Sequence, residues 1–307
     1  MSTPHRTSPS EFRRIVGYLA GYAGILGLAI AIGLTADFGA KTSEARDTMT
    51  LVGTAAPVVD AVIGAAGDAT LTGVITFDGE VPTLKPIVTK GDMTVKDAAV
   101  CAANDVPNEE LVVNKDNKGI ANVFVYLAKA PAGAPASKAG TEPLVLDQKS
   151  CQFLPHAMII HTGETVLVKN DDDVPHNTHT NPVRNDGFNK VVAAKDRTGV
   201  PLKYTKSERL PVKVVCDFHA WMKSWNLVLD HKYMAVTDAD GKFTIPDLPA
   251  GKHEFVVWQE KAGYLNKKYE VEVKKGETKE VKLSFGAAKF AGGPVPDGGT
   301  VVVKSDR

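Results

Sequence analysis

Short runs of alternating apolar and β-branched residues recur from residue 70 to residue 285, and Gly, Pro or Asp turns separate them. No long amphipathic helical pattern lies between these runs. Many short strands with frequent turns are typical of antiparallel sandwiches and argue against a doubly wound parallel sheet. The length of 307 residues suits about two domains, so we predict an all-β fold of two antiparallel β-sandwiches. The predicted strands are Thr70–Phe77, Ala121–Leu127, Ala157–His161, Thr165–Lys169, Val212–Cys216, Trp225–Asp230, Lys242–Ile245, His253–Trp258, Tyr269–Val273 and Thr278–Phe285.

An uncharged stretch of 20 residues runs from Ile15 to Leu34. As a helix it would be about 30 Å long, close to the thickness of a bilayer core. Arg6, Arg13 and Arg14 precede it, and the positive-inside rule then leaves residues 1–14 in the cytoplasm. We predict a transmembrane signal anchor that holds the rest of the protein on the periplasmic side of the cytoplasmic membrane. The alternative is a cleaved signal peptide and a soluble periplasmic protein.

The segment Thr237–Gly251 places turn residues before a short strand and again, as Leu-Pro-Ala-Gly, before the next strand. This pattern resembles the carboxypeptidase regulatory-like, transthyretin-like sandwich family, and Thr70–Ile75 with Ala121–Leu127 look like the opening strands of that family. The resemblance implies a non-catalytic scaffold. About a hundred residues, roughly one domain, separate Leu127 from Ala235. We therefore predict that one sandwich is inserted into the other, with tandem sandwiches as the simpler alternative.

Metal-ligand residue types occur at two places inside that gap. Cys216, His219 and Met222 form a Cys-x-x-His-x-x-Met loop after a strand, and His176 lies in a Pro-His-Asn-x-His motif some forty residues earlier. A thiolate, two imidazoles and a weakly bound thioether form the ligand set of blue copper electron-transfer sites. Zinc is the alternative metal, although Met is an uncommon zinc ligand.

These motifs resemble the cupredoxin family, in its amicyanin-like and plastocyanin-like members, over residues 140 to 232. The resemblance implies a Greek-key sandwich that binds one type 1 copper ion, and it makes Asn177 a brace that hydrogen-bonds near the cysteine sulfur. Phe218 departs from the Pro that many cupredoxins have at this position. The ligands implied by the resemblance are His176, Cys216, His219 and Met222.

The two resemblances give the predicted domain boundaries. The membrane helix precedes a linker, and the inserted cupredoxin domain interrupts the transthyretin-like sandwich. The predicted ranges are 1–14 for the cytoplasmic N-terminus, 15–34 for the membrane helix, 35–68 for the linker, 69–135 and 233–285 for the regulatory-like sandwich, 136–232 for the cupredoxin domain and 286–307 for a flexible tail.

The resemblance implies a membrane-tethered carrier that transfers single electrons between redox proteins such as c-type cytochromes. In that family the second histidine of the loop reaches the surface, so His219, with Trp221 and Trp225, is the predicted electron-transfer patch. The alternative for the two tryptophans is that they anchor the core. Eight histidines without a His-x-His pair argue against a copper enzyme. Equal numbers of basic and acidic residues, 36 of each, argue against nucleic acid as a partner. Copper storage, delivery or adhesion without a redox role is the alternative function.

The chain has three cysteines, an odd number. Cys101 and Cys151 are predicted to form a disulfide, which export to an oxidising compartment would favour. Their pairing leaves Cys216 as the single thiol that a copper thiolate requires. A second metal site that includes Cys151, His156 and His161 is a weaker alternative, because those spacings match no familiar ligand pattern.

Overall fold

The structure is a computed structural model that describes residues 68–292. Within this range the chain is all-β, as predicted, with one four-residue α-helix and two short 3-10 turns. No helix among these residues is long and apolar enough to cross a membrane, and the predicted span at 15–34 lies outside them. The elements are β1 (Ala69–Asp78), α1 (Ala98–Cys101), β2 (Phe124–Leu127), β3 (Leu144–Lys149), β4 (Gln152–Leu154), β5 (Ala157–His161), β6 (Thr165–Asn170), β7 (His176–Thr180), β8 (Phe188–Val192), β9 (Val200–Lys203), β10 (Val212–Val215), β11 (Lys223–Leu229), β12 (Met234–Val236), β13 (Lys242–Leu248), β14 (Gly251–Gln259), β15 (Gly263–Val273) and β16 (Thr278–Gly286).

The first sandwich is built from strands at the two ends of the described chain. One sheet has the order β13-β1-β16 and the other β12-β2-β14-β15. In β1 every second side chain points inward, so Leu71, Ile75 and Phe77 join Val125 and Phe255 in one apolar core. Strands before residue 128 therefore pair with strands after residue 233, although more than a hundred residues separate them.

The second sandwich is built from the residues in between. Its sheets have the orders β5-β11-β10-β7-β8 and β4-β3-β6-β9, and they enclose a core that includes Leu146, Phe153, Ile160, Val168 and Val214. The pairs β3 with β6 and β5 with β11 are parallel, as is β1 with β16 in the first sandwich. The prediction of purely antiparallel sheets is wrong at these pairs, because the chain crosses between facing sheets and returns in the same direction.

The two sandwiches pack against each other through the outer side of β5 and β11. Leu227 of the second sandwich lies in one apolar cluster with Phe124 and Tyr126 of the first. Trp225 and Trp258 meet edge to face, with ring centroids 4.8 Å apart. Aromatic pairs at this separation add about 0.5–1.5 kcal/mol beyond their burial. The first sandwich thereby covers part of β5 and β11.

The stretch between β1 and β2 reaches the second sandwich rather than staying with the first. Residues 87–106, which we call the cover segment, contribute Val88, Ala102 and Val106 to a small apolar cluster that contacts Trp221. The segment is fixed by a disulfide between Cys101 on α1 and Cys151, with a Cα–Cα distance of 5.3 Å. The predicted disulfide is therefore confirmed, and Cys216 is the free cysteine of the described chain.

Candidate metal centre

Three buried side chains bring nitrogen and sulfur atoms together at one end of the second sandwich. His176 Nδ1 lies 2.9 Å from His219 Nδ1, and Cys216 Sγ lies 3.7 Å from His219 Nδ1 and 4.0 Å from His176 Nδ1. The three atoms lie within 4.8 Å of one another, so a single ion could contact all of them. The residues that the two sequence motifs supply are thus neighbours in space.

Sheet order explains why distant residues meet here. β7, which begins at His176, is hydrogen-bonded to β10, and Cys216 directly follows β10. The loop from β10 to β11 is closed by two backbone hydrogen bonds, in which the Cys216 N–H donates to the Met222 carbonyl and the Met222 N–H donates to the His219 carbonyl. Met222 is buried in the same apolar cluster as Cys216. All four predicted ligands therefore lie in one buried region.

A carboxylate holds the outer nitrogen of each histidine. His176 Nε2 lies 2.9 Å from Asp172 Oδ2, and His219 Nε2 lies 2.9 Å from Asp97 Oδ2. An Nε2–H that donates to a carboxylate leaves the Nδ1 lone pair available to a metal, an arrangement common around metal-bound histidines. Both Nδ1 atoms point toward the Cys216 sulfur, so the carboxylates favour the tautomer that copper binding needs.

The charge state of the cysteine also suits a metal. Burial raises the pKa of the Cys216 thiol, but hydrogen bonds with His176 and His219 outweigh burial and lower the pKa to about 6. At neutral pH the thiolate is then the main form, and the thiolate is the form that binds metal ions. Burial lowers the pKa of His176, while its hydrogen bond to Asp172 raises it, with a net rise.

The Asn177 side chain lies between the cysteine sulfur and the loop that follows Cys216. Its Oδ1 accepts a hydrogen bond of 2.7 Å from the Asp217 N–H and lies 3.4 Å from Cys216 Sγ. Its Nδ2 donates to Asp217 Oδ2 at 2.7 Å. Asn177 thus ties the strand of the first histidine to the cysteine loop.

The predicted electron-transfer patch is not formed as expected. His219 is 0% exposed because Asp97 of the cover segment lies against its outer nitrogen. Trp221 is half-buried, with its ring centroid 5.2 Å from that of His219. Trp225 lies at the contact between the two sandwiches and donates to Glu260 Oε2 at 3.0 Å. A patch of His219, Trp221 and Trp225 is therefore wrong as a surface, because the cover segment and the first sandwich occupy it.

Two residues that the sequence analysis missed are Asp97 and Asp172. Asp172 is four positions before His176, in a run of three aspartates, and this closeness in sequence is a weak indication that the two side chains interact. Asp97 is 122 positions from His219, and nothing in its local sequence points to the site. Its backbone φ is +54°, a left-handed conformation that is uncommon outside glycine. Asp97 occupies the N-cap position of α1, but its side chain makes no capping hydrogen bond to the helix.

His156 and His161 take no part in this centre. His156 is buried between Glu260 and Glu109, and His161 pairs with Glu164 at 3.3 Å. Within residues 68–292, neither histidine belongs to a group of three ligand atoms close enough for one metal ion. A second group, Cys151 with Asp172 and His176, is close enough, but Cys151 is held in the disulfide.

Comparison with known proteins gives partial likenesses. Residues 213–281 match the family model described as polysaccharide lyase family 4, domain II, a stretch that includes strands of both sandwiches. No curated protein matches the chain.

Solved structures resemble about a third of the chain. A copper-containing nitrite reductase from Thermus scotoductus is 19% identical and covers 32% of this chain, with a TM-score of 0.26, and the chain spans only 25% of that protein. A purple cupredoxin from Nitrosopumilus maritimus is 23% identical, with 28% of this chain and 98% of that one covered and a TM-score of 0.24. Amicyanin from Paracoccus versutus is 19% identical, with 34% and 90% covered and a TM-score of 0.24. The evidence for a metal centre in this chain is the proximity of the His176, Cys216 and His219 ligand atoms.

Proposed function

We propose that this chain binds one type 1 copper ion and carries single electrons between redox proteins. The observation that supports this most directly is the convergence of His176 Nδ1, Cys216 Sγ and His219 Nδ1 in a buried site. The donor set fits copper because thiolate stabilises the cuprous ion and imidazole suits both oxidation states. We assign Met222 as the fourth, weak ligand, and the second sandwich as a cupredoxin Greek-key domain inserted into a regulatory-like sandwich.

Bound copper would supply one-electron chemistry between its cuprous and cupric states. The residues of the chain hold the ligands still while the charge changes. Asp172 and Asp97 fix the two imidazoles by their outer nitrogens, and the short hydrogen-bonded loop fixes Cys216 relative to Met222. A rigid, dry ligand set lowers the rearrangement that accompanies each transfer, which favours fast electron exchange.

A carrier role fits the site better than a catalytic one. The described cavity next to Met222 has a volume of about 20 Å³ and is lined also by Trp221 and His156. That volume is close to what one water molecule needs, and His176, Cys216 and His219 are buried without lining the cavity. We therefore propose that the chain is not an enzyme by itself.

We also propose where the protein acts and which proteins it meets. The disulfide between Cys101 and Cys151 supports export to an oxidising compartment, since such bonds persist there. We propose that residues 15–34 anchor the folded part on the periplasmic side of the membrane. The proposed partners are redox proteins such as c-type cytochromes.

Redox titration of the copper-loaded protein tests the carrier role against copper delivery. We expect one equivalent of copper per chain and one electron taken up reversibly, with the copper retained when a cuprous chelator is added after reduction. Cys216→Ser is the matched control, and we expect it to lose this behaviour. Rapid release of copper on reduction would contradict the carrier role and favour storage or delivery.

A further inference from the structure

The buried position of His219 raises the question of where electrons leave the site. A continuous set of polar contacts also leads away from Cys216 through Asn177. Asn177 Oδ1 lies 3.4 Å from the sulfur, and Asn177 Nδ2 donates to Asp217 Oδ2 at 2.7 Å. Asp217 Oδ1 lies 3.0 Å from His179 Nδ1. The Asp217 side chain is 45% exposed and that of His179 is 29% exposed, so the path reaches the surface at Asp217 and, one contact further, at His179.

The path ends beside a groove that is lined by residues 181–184, residues 208–213 and the partly exposed side of Trp225. His179 Nε2 lies 3.2 Å from Asn181 Nδ2, and Asn181 lines the groove. The groove has a volume of about 690 Å³. Its apolar lining includes Leu210, Pro211 and Trp225, and Val183 at its edge is 91% exposed. A small apolar contact area of this kind is typical of transient redox interfaces.

The exposed charged residues that line the groove are all basic. Its rim carries Arg184, Arg209 and Lys213, all exposed. The acidic residue among the described lining residues is Glu208, which is 3% exposed. Its carboxylate is turned inward and accepts hydrogen bonds from the backbone N–H groups of Val183 and of the next two residues. The groove therefore presents cations around an apolar floor.

We propose that this groove docks a redox protein that carries carboxylates around the exposed edge of its cofactor, and that the electron passes through Asn177, Asp217 and His179. This inference depends on the copper-binding function proposed above. On transfer to an oxidising partner, the cuprous ion loses one electron and becomes cupric, and the cofactor of the partner gains that electron. Opposite charges on the two surfaces would steer the encounter and make its rate depend on salt.

Binding can be tested without copper. Hexacyanocobaltate(III) is a redox-inert trianion that mimics an acidic, compact partner, and calorimetric titration of the metal-free full-length protein measures its affinity. We expect Arg209→Glu with Lys213→Glu to lower that affinity about tenfold. The matched control, Lys252→Glu with Lys275→Glu, reverses two exposed charges on the first sandwich and should leave the affinity unchanged. Equal effects of the two double variants, or no effect of either, would overturn the docking site.

Electron transfer is then measured with hexacyanoferrate(III), which accepts one electron from the reduced copper protein. We expect the groove double variant to slow this oxidation about tenfold at low salt and the control double variant to leave it unchanged. Lys96→Glu probes the other candidate exit, because Lys96 lies over Phe218 beside the buried His219. A loss of rate in Lys96→Glu together with a normal rate in the groove variant would place the exit near His219 and overturn the inference.

His179→Phe separates the path from the docking. It removes the contact between Asp217 and Asn181 while all three rim cations remain. We expect slower electron transfer with unchanged binding of hexacyanocobaltate(III). An unchanged rate would overturn the path, and weaker binding would show that His179 acts in docking. If the copper-loaded protein lacked type 1 spectra, the copper proposal itself would fail, whereas the calorimetric result would stand.

Discussion

His156 joins the two sandwiches through a buried ionic cluster, and its replacement by Gln should change how stability depends on pH. Its Nε2 contacts Glu260, its Nδ1 lies 3.3 Å from Glu109 Oε2, and Glu260 also pairs with Lys223 at 2.9 Å. Burial lowers the pKa of His156, but hydrogen bonds to Glu109 and Glu260 outweigh burial and raise the pKa from 6.5 to about 9. The folded protein thus keeps a proton on His156 that the unfolded chain loses near neutrality.

The size and sign of the effect follow from that difference in pKa. One unit of pKa corresponds to about 1.4 kcal/mol, so the charged cluster stabilises the fold by about 3 kcal/mol when both states are protonated. Because the folded pKa is raised, this stability is fully present below about pH 6.5 and is lost as the pH rises through about 9. The free energy of unfolding should therefore fall across this window.

Urea denaturation of the metal-free protein between pH 6 and pH 9.5, followed by tryptophan fluorescence, measures this effect. The variant His156→Gln shares the other titrating groups, so the difference between the two curves isolates His156. We expect the difference in unfolding free energy to shrink by about 3 kcal/mol as the pH rises. Parallel curves for the two proteins, or a difference that grows with pH, would refute the reasoning.

Two further predictions concern the cover segment. Asp97→Ala removes the carboxylate beside His219 Nε2 and should weaken cuprous ion binding at least about tenfold, since such outer contacts typically contribute that much. Competition with a cuprous chelator measures this affinity, and an unchanged value would contradict the role of Asp97. Cys101→Ser with Cys151→Ser opens a loop of 50 residues and should lower the unfolding free energy by about 4 kcal/mol. Urea denaturation measures this loss when the slope is fitted separately for each protein, because loss of the cross-link expands the unfolded chain. Equal free energies of unfolding would refute the prediction.

Local pattern predicted apolar strands such as β1 and β13 but missed the short strands β3 and β12. The predicted strand Thr70–Phe77 matches β1 within one residue at each end, and Lys242–Ile245 is the first part of β13. The strand β7, with the sequence His-Asn-Thr-His-Thr, was missed because its polar residues give no alternation. These polar side chains form the site and its hydrogen bonds, so the strand lacks the alternation of apolar and polar residues by which strands are predicted.

The proximity of His176, Cys216 and His219 could be predicted because two of them lie within one short loop and the third has its own motif. The burial of His219 could not be predicted, because it depends on the cover segment, which lies more than a hundred positions away in the sequence. Contacts of that kind follow from the topology, which strand patterns do not specify.

Cys216, His176 and His219 are proposed to bind copper together with Met222. The visible absorption spectrum of the full-length protein with one equivalent of cupric ion tests it most directly. We predict an intense band from sulfur-to-copper charge transfer that is absent in Cys216→Ser and that disappears on reduction. A colourless copper complex of the native chain, or a band that survives Cys216→Ser, would contradict the account.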